Sequence, residues 1–160
     1  MKTVRVLFVC LGNICRSPLG AALLKKKVIN HGLESWVEVD SCGTSNYHIG
    51  GNADPRTLAN ASRHGVPMDH CARQLTTGDL EAFDFIFAMD NSNYENILRL
   101  ANGNDVHHKV KLMRDFDPKG KGEVPDPYHG EEKDFQEVFD ILDRSTEKFI
   151  EFLKKEYQNN

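Results

Sequence analysis

Cys10 and Arg16 stand six residues apart in Val4–Pro18, V-R-V-L-F-V-C-L-G-N-I-C-R-S-P. An apolar run ends in the cysteine, Gly12 and Asn13 fall in the intervening turn, and Ser17-Pro18 opens a helix. A loop passing from a buried strand into a helix N-terminus turns successive backbone N–H groups inward and holds a phosphate-like dianion at the positive end of the helix dipole. Gly12 and Asn13 suit such a loop because both tolerate positive φ. A thiol in that field favours its thiolate, the nucleophilic form, and Arg16 supplies a planar fork of donors that can grip two phosphoryl oxygens. A C-x5-R pair alone is also compatible with a small buried cysteine and a solvated arginine; strand, Gly-Asn turn, Ser17 and Pro18 together favour the chemical reading.

Cleaving a phosphate ester through such a cysteine requires an acid for the leaving oxygen and then a base to activate water. Asp54-Pro55, Asp117-Pro118 and Asp126-Pro127 offer candidates. Only Asp126 sits in the long Gly- and Pro-rich stretch Pro118–Gly130, which is too long to be mere connection and reads as a mobile functional loop. Its neighbour Tyr128 can wall an apolar-bodied substrate. Remaining protonated beside a thiolate would require Asp126 to be partly buried.

The elements that position these groups follow from periodicity and breakers. Residues 18–31 carry helical apolar spacing with a basic face and stop at Gly32. Trp36–Ser41 alternates as a strand, Pro55–His64 reads as a helix stopped by Gly65, and Thr76–Leu80 as a brief helix. Phe83–Met89 is a second apolar strand before a helix over Ser92–Ala101, and Lys109–Met113 a weaker strand. Asp134 with Glu137 resembles a capping box opening an amphipathic helix that runs to Leu153. Alternating strands and helices imply one α/β domain over residues 1–160, a four-stranded parallel sheet with helices on both faces, flavodoxin-like in its three layers. Sites in such sheets lie at the carboxyl ends of the strands, which brings Cys10, Ser41 and Asp90 together. Ser17 is placed either to donate to the Cys10 sulfur or as a helix N-cap, and Asp90 either to aim Arg16 or to start a helix.

With 160 residues, 39% apolar, 28% charged and a net charge of −4, the chain has the make-up of a globular protein and not of a general nucleic-acid binder. No run is long enough to span a membrane. Arg5 interrupts what would otherwise resemble a signal peptide, so a cytoplasmic, monomeric protein is expected. Cysteines 10, 15, 42 and 71 do not form a disulfide framework, and no C-x2-C or H-x3-H pair points to a metal. No cofactor is expected.

The segments C-L-G-N-I-C-R-S-P, D-S-C-G-T-S-N-Y, P-M-D-H-C-A-R-Q, A-M-D and D-P-Y, in that order, resemble the low-molecular-weight protein tyrosine phosphatases through nearly the whole chain. The resemblance implies a phosphatase acting on phosphotyrosine in proteins or on small aryl phosphates, inhibited by phosphate and other oxyanions. It makes Cys10 the nucleophile, Arg16 the phosphate clamp and Asp126 the acid and base, with Leu11, Gly12, Asn13, Ile14, Cys15, Arg16 and Ser17 as the phosphate-binding loop. Asn13, Ser17, Ser41 and His70 fall on the supporting hydrogen-bond network, Asp90 on the residue orienting the arginine, and Cys15 on the redox partner of Cys10. Leu11, Ile14, Tyr47 and Tyr128 would line the slot for a phenyl ring. His129 replaces the second of two adjacent tyrosines found in some members. Two alternatives compete: a thioredoxin-coupled arsenate reductase, which needs further cysteines where this chain has none after Cys71, and a non-catalytic phosphotyrosine-binding module, which needs neither Cys10 nor Asp126.

Overall fold

The computed structural model describes residues 2–158. Four parallel strands, β1 (Val4–Cys10), β2 (Val37–Gly43), β3 (Phe85–Ala88) and β4 (Val110–Leu112), pair in the order β2-β1-β3-β4. β1 and β3 are the near-continuous apolar runs expected of strands covered on both faces. One face carries α1 (Arg16–Asn30) and α5 (Glu132–Leu153), with Phe8, Leu24, Phe87, Phe149 and Leu142 in its core. The other buries Leu7, Val9, Ile86 and Ile97 beneath α3 (Thr77–Ala82) and α4 (Asn91–Ala101), while α2 (Pro55–Arg63) packs beside α5. The four-stranded α/β sandwich expected from the sequence is therefore the fold. Among the described residues no helix is long and apolar enough to cross a membrane.

Local chemistry sets the boundaries. Asp54 caps α2 by accepting from Arg56 N–H at 2.8 Å, with Pro55 at the first helical position, and Thr76 and Asp79 form a reciprocal box that starts α3. Gly32, at φ 69°, follows α1 while Leu33 N–H returns to the Val28 carbonyl at 2.8 Å. The start of α5 differs from expectation. Asp134 is the third residue of the helix rather than its cap, and its Oδ2 accepts from Glu131 N–H at 2.7 Å. β2 also runs two residues further, to Gly43, so Ser41 lies within the strand, opposite Phe8. Gly43 is forced by close approach: a Cβ there would stand 2.7 Å from the Leu11 carbonyl oxygen and 3.0 Å from Asn13 N.

Candidate active site

Cys10 is the last residue of the central strand β1, and residues 11–15 turn from it into α1. Asn13 takes the left-handed conformation, φ 56°. Gly12 does not, contrary to expectation; its constraint is room, since a Cβ would meet His48 Cδ2 at 3.0 Å.

Asn13 is the hub that holds the turn. Its Nδ2 donates to Ser17 Oγ at 2.8 Å and to Ser41 Oγ at 3.0 Å, and its Oδ1 accepts from Arg73 N–H at 3.0 Å. The Asn13 carbonyl lies 2.6 Å from His70 Nε2. A carbonyl can only accept, so that nitrogen carries the proton, and burial pushes the His70 imidazole below its usual pKa despite the opposing pull of this bond. Arg73 is held by Asp40 and by two bonds to Asp79, at 2.9 and 3.0 Å. Its role was not read from the sequence, because Asp40 and Asp79 flank it from separate elements; the Thr76-x-x-Asp79 box was the available clue.

Ser17 lies inside α1 and is not its cap. Its Oγ is 2.9 Å from Cys10 Sγ and 3.2 Å from the Cys42 carbonyl oxygen, and its backbone N–H points at the same sulfur at 3.4 Å. Arg16 is buried, with a guanidinium pKa raised above its ordinary value: burial opposes this, but the charges of Cys10 and Asp90 outweigh it. Both N–H groups of Arg16 Nη1 are committed, one to Asp90 Oδ2 at 2.7 Å and one to the Val124 carbonyl at 3.0 Å. That leaves Nε and Nη2 to face the cleft. Asp90 does both things expected of it, since its Oδ1 caps α4 by accepting from Asn93 N–H at 2.8 Å.

The long loop is tied to the sheet end at residues 123 and 124. Val124 N–H donates to the Met89 carbonyl at 2.7 Å, and Asn91 N–H to Glu123 Oε2 at 2.8 Å. Asp126 stands on it with Oδ2 3.7 Å from Arg16 Nη2, and its side chain is 45% exposed. Asp126 is thus covered over about half of its side chain and open to the cleft mouth over the rest, with Pro127 buried behind it. Cys10, Arg16, Asp126, Leu11, Ile14, Tyr47 and Tyr128 line a single cleft of about 220 Å³, joined by Cys15, His48 and His129. Tyr128 lies under the Arg56 guanidinium, 5.5 Å from ring centroid to Cζ. The Cys15 thiol is pushed up to about 12 chiefly by burial, against a lowering bond from Thr57. Ser41, His70 and Asp90 reach the loop from behind or beside it and do not line the cleft.

A family model described as low molecular weight phosphotyrosine protein phosphatase matches residues 5–159. The chain belongs to this family. A human low molecular weight phosphotyrosine protein phosphatase is 42% identical over 151 residues, covering 93% of this chain and 95% of that one. Among solved structures, a protein tyrosine phosphatase from Entamoeba histolytica with Hepes in its active site is 42% identical and superposes with a TM-score of 0.91 over 96% of this chain and 98% of that one. A Drosophila arginine phosphatase is 32% identical with a TM-score of 0.86, over 98% and 99% of the two chains. Membership in the phosphatase family argues against the arsenate-reductase and binding-module alternatives.

Proposed function

We propose that this member of the low molecular weight phosphotyrosine protein phosphatases hydrolyses phosphotyrosine in proteins, and small aryl phosphates, through a cysteinyl-phosphate intermediate. The observation that carries the reading is the convergence of Cys10, Arg16 and Asp126 on one cleft walled by Leu11, Ile14, Tyr47 and Tyr128. The phosphoryl group sits in the 11–15 turn, with its oxygens taken by backbone N–H groups and by Nε and Nη2 of Arg16. Cys10 as thiolate attacks phosphorus in line, and the P–O bond to the aryl group breaks as Asp126 gives the leaving oxygen its proton. Asp126, now carboxylate, takes a proton from water, which attacks the thiophosphate; inorganic phosphate departs and Cys10 returns as thiolate, with Ser17 placed to donate to the sulfur at each departure. The apolar walls select a phenyl ring. Phosphate and similar oxyanions compete for the same turn.

Para-nitrophenyl phosphate hydrolysis measured with chelator present, in wild type and Cys10→Ser, tests this. Wild type is expected to turn over without added metal, and Cys10→Ser to lose turnover while still binding phosphate. A Cys10→Ser enzyme with wild-type rates would end the proposal. A phosphoarginine peptide run beside a phosphotyrosine peptide distinguishes the aryl substrate from that of the arginine phosphatases.

A further inference from the structure

Beside the catalytic cleft lies a second hollow, of about 590 Å³, that shares Leu11 and Tyr47 with it. From the loop after β2 it is lined by Thr44, Ser45 and Asn46, and from α4 by Asn96 and Arg99. Arg99 is the only charged side chain in this lining. It is also singular in the chain. Of the eight arginines, Arg5, Arg16, Arg56, Arg63, Arg73, Arg114 and Arg144 each pair with a carboxylate. Arg99 alone has none among the described residues; it donates only to the neutral Asn96 Oδ1. In a molecule of net charge −4, an exposed and uncompensated guanidinium at the edge of the site is a local reversal of sign.

The hollow is also furnished for a backbone. The Asn46 amide makes no hydrogen bond within the described residues, so its donor and acceptor are free for a passing peptide unit. The turn that presents it is anchored at the two preceding residues: Ser45 N–H and Oγ both donate to the Leu11 carbonyl, at 3.0 and 2.9 Å, and Gln74 Nε2 donates to the Thr44 carbonyl at 3.2 Å. Leu11 and Tyr47 form the ridge between the two hollows. A peptide that leaves the cleft across that ridge passes over the second hollow.

We infer that this hollow holds the polypeptide flanking the phosphotyrosine, and that Arg99 pairs there with an acidic side chain of that segment. The inference rests on the proposed tyrosine phosphatase activity and concerns only what surrounds the scissile ester. An extended strand advances about 3.3 Å per residue, so a carboxylate within about four positions of the phosphotyrosine lies in reach.

The test is a set of nonapeptides with central phosphotyrosine in an alanine background, each carrying one Glu or one Lys at positions −4 to +4. Phosphate release is measured with wild type, Arg99→Glu and Arg99→Lys, and para-nitrophenyl phosphate, which reaches only the cleft, serves as the control. Wild type is expected to favour Glu over Lys at one or two positions by about 2–5-fold in kcat/KM, the range of an exposed ion pair. Arg99→Glu should invert the preference at those positions, Arg99→Lys should keep it, and all three enzymes should hydrolyse the control alike. Equal use of Glu and Lys peptides by wild type at every position overturns the inference, as does an Arg99→Glu effect that appears equally on the control. Turnover of the control with none of any peptide would overturn the protein-substrate reading and this inference with it.

Discussion

Asp90 divides its two oxygens between the helix it starts and the arginine it aims, so the direction of the Arg16 fork is fixed by the same group that fixes the entry of α4. With Nη1 saturated by Asp90 and the Val124 carbonyl, the guanidinium cannot rotate without breaking two bonds of 2.7 and 3.0 Å. Preorganisation of this kind is worth most when charge moves in the transition state. Asp126 is the opposite case: exposed, on a loop, and touched by Arg16 at 3.7 Å. Asp126→Ala is expected to slow hydrolysis by about 10²–10⁴-fold for a phenyl ester, whose leaving group needs a proton, and by clearly less for para-nitrophenyl phosphate. Rates for the two esters measured on the variant decide it; equal losses would remove Asp126 from the proton-transfer step.

Among the elements, β1, β3, α1, α2 and α4 were legible because each announces itself locally, by an unbroken apolar run or by a cap residue next to a periodic stretch. The start of α5 was not, since Asp134 resembles a cap but is the third residue of the helix and closes the box that Glu131 opens. The turn after Cys10 could be read from its residues, yet its struts could not: Arg73 to Asn13, Val124 to Met89 and Arg16 to Val124 all involve backbone atoms far apart in sequence, which leave no side-chain signature. α5 is held by an aromatic cluster in which Phe149 meets Phe87 edge-on at 4.9 Å and Phe116 at 5.2 Å. Phe149 is fully buried, and Phe149→Ala is expected to cost about 3–5 kcal/mol of stability, read from the urea midpoint. Because the cluster lies on the sheet face of α5 and outside the cleft, kcat of the protein that remains folded should hold.

For the whole molecule, Asp117 and His70 are among the groups that shape the response to acid, beside the lowered carboxyls of Asp54 and Asp79. Burial alone would raise the Asp117 pKa, but two bonds from Arg144, the Lys119 N–H and Arg114 outweigh it and bring the carboxyl down to about 2 from an ordinary 3.8. A depressed carboxylate stabilises the folded state above its unfolded value and loses that contribution as pH falls through about 2, here a span worth about 2 kcal/mol. His70 has the reverse chemistry with the same sign: held neutral, it loses ground as pH drops below about 6.5, where the unfolded chain takes up a proton more readily. Urea titrations from pH 8 to 2 should therefore show stability falling in the histidine range and again below about pH 4, and Asp117→Asn should reduce only the second fall, to which Asp54 and Asp79 still contribute. The proposed nucleophile belongs to neither a loop nor a helix. Cys10 ends the central strand, paired in register with Gly43 across the sheet, and such strands open only when the whole domain does. Heat inactivation should thus follow global melting, with no temperature window in which the fold persists and the sulfur has wandered.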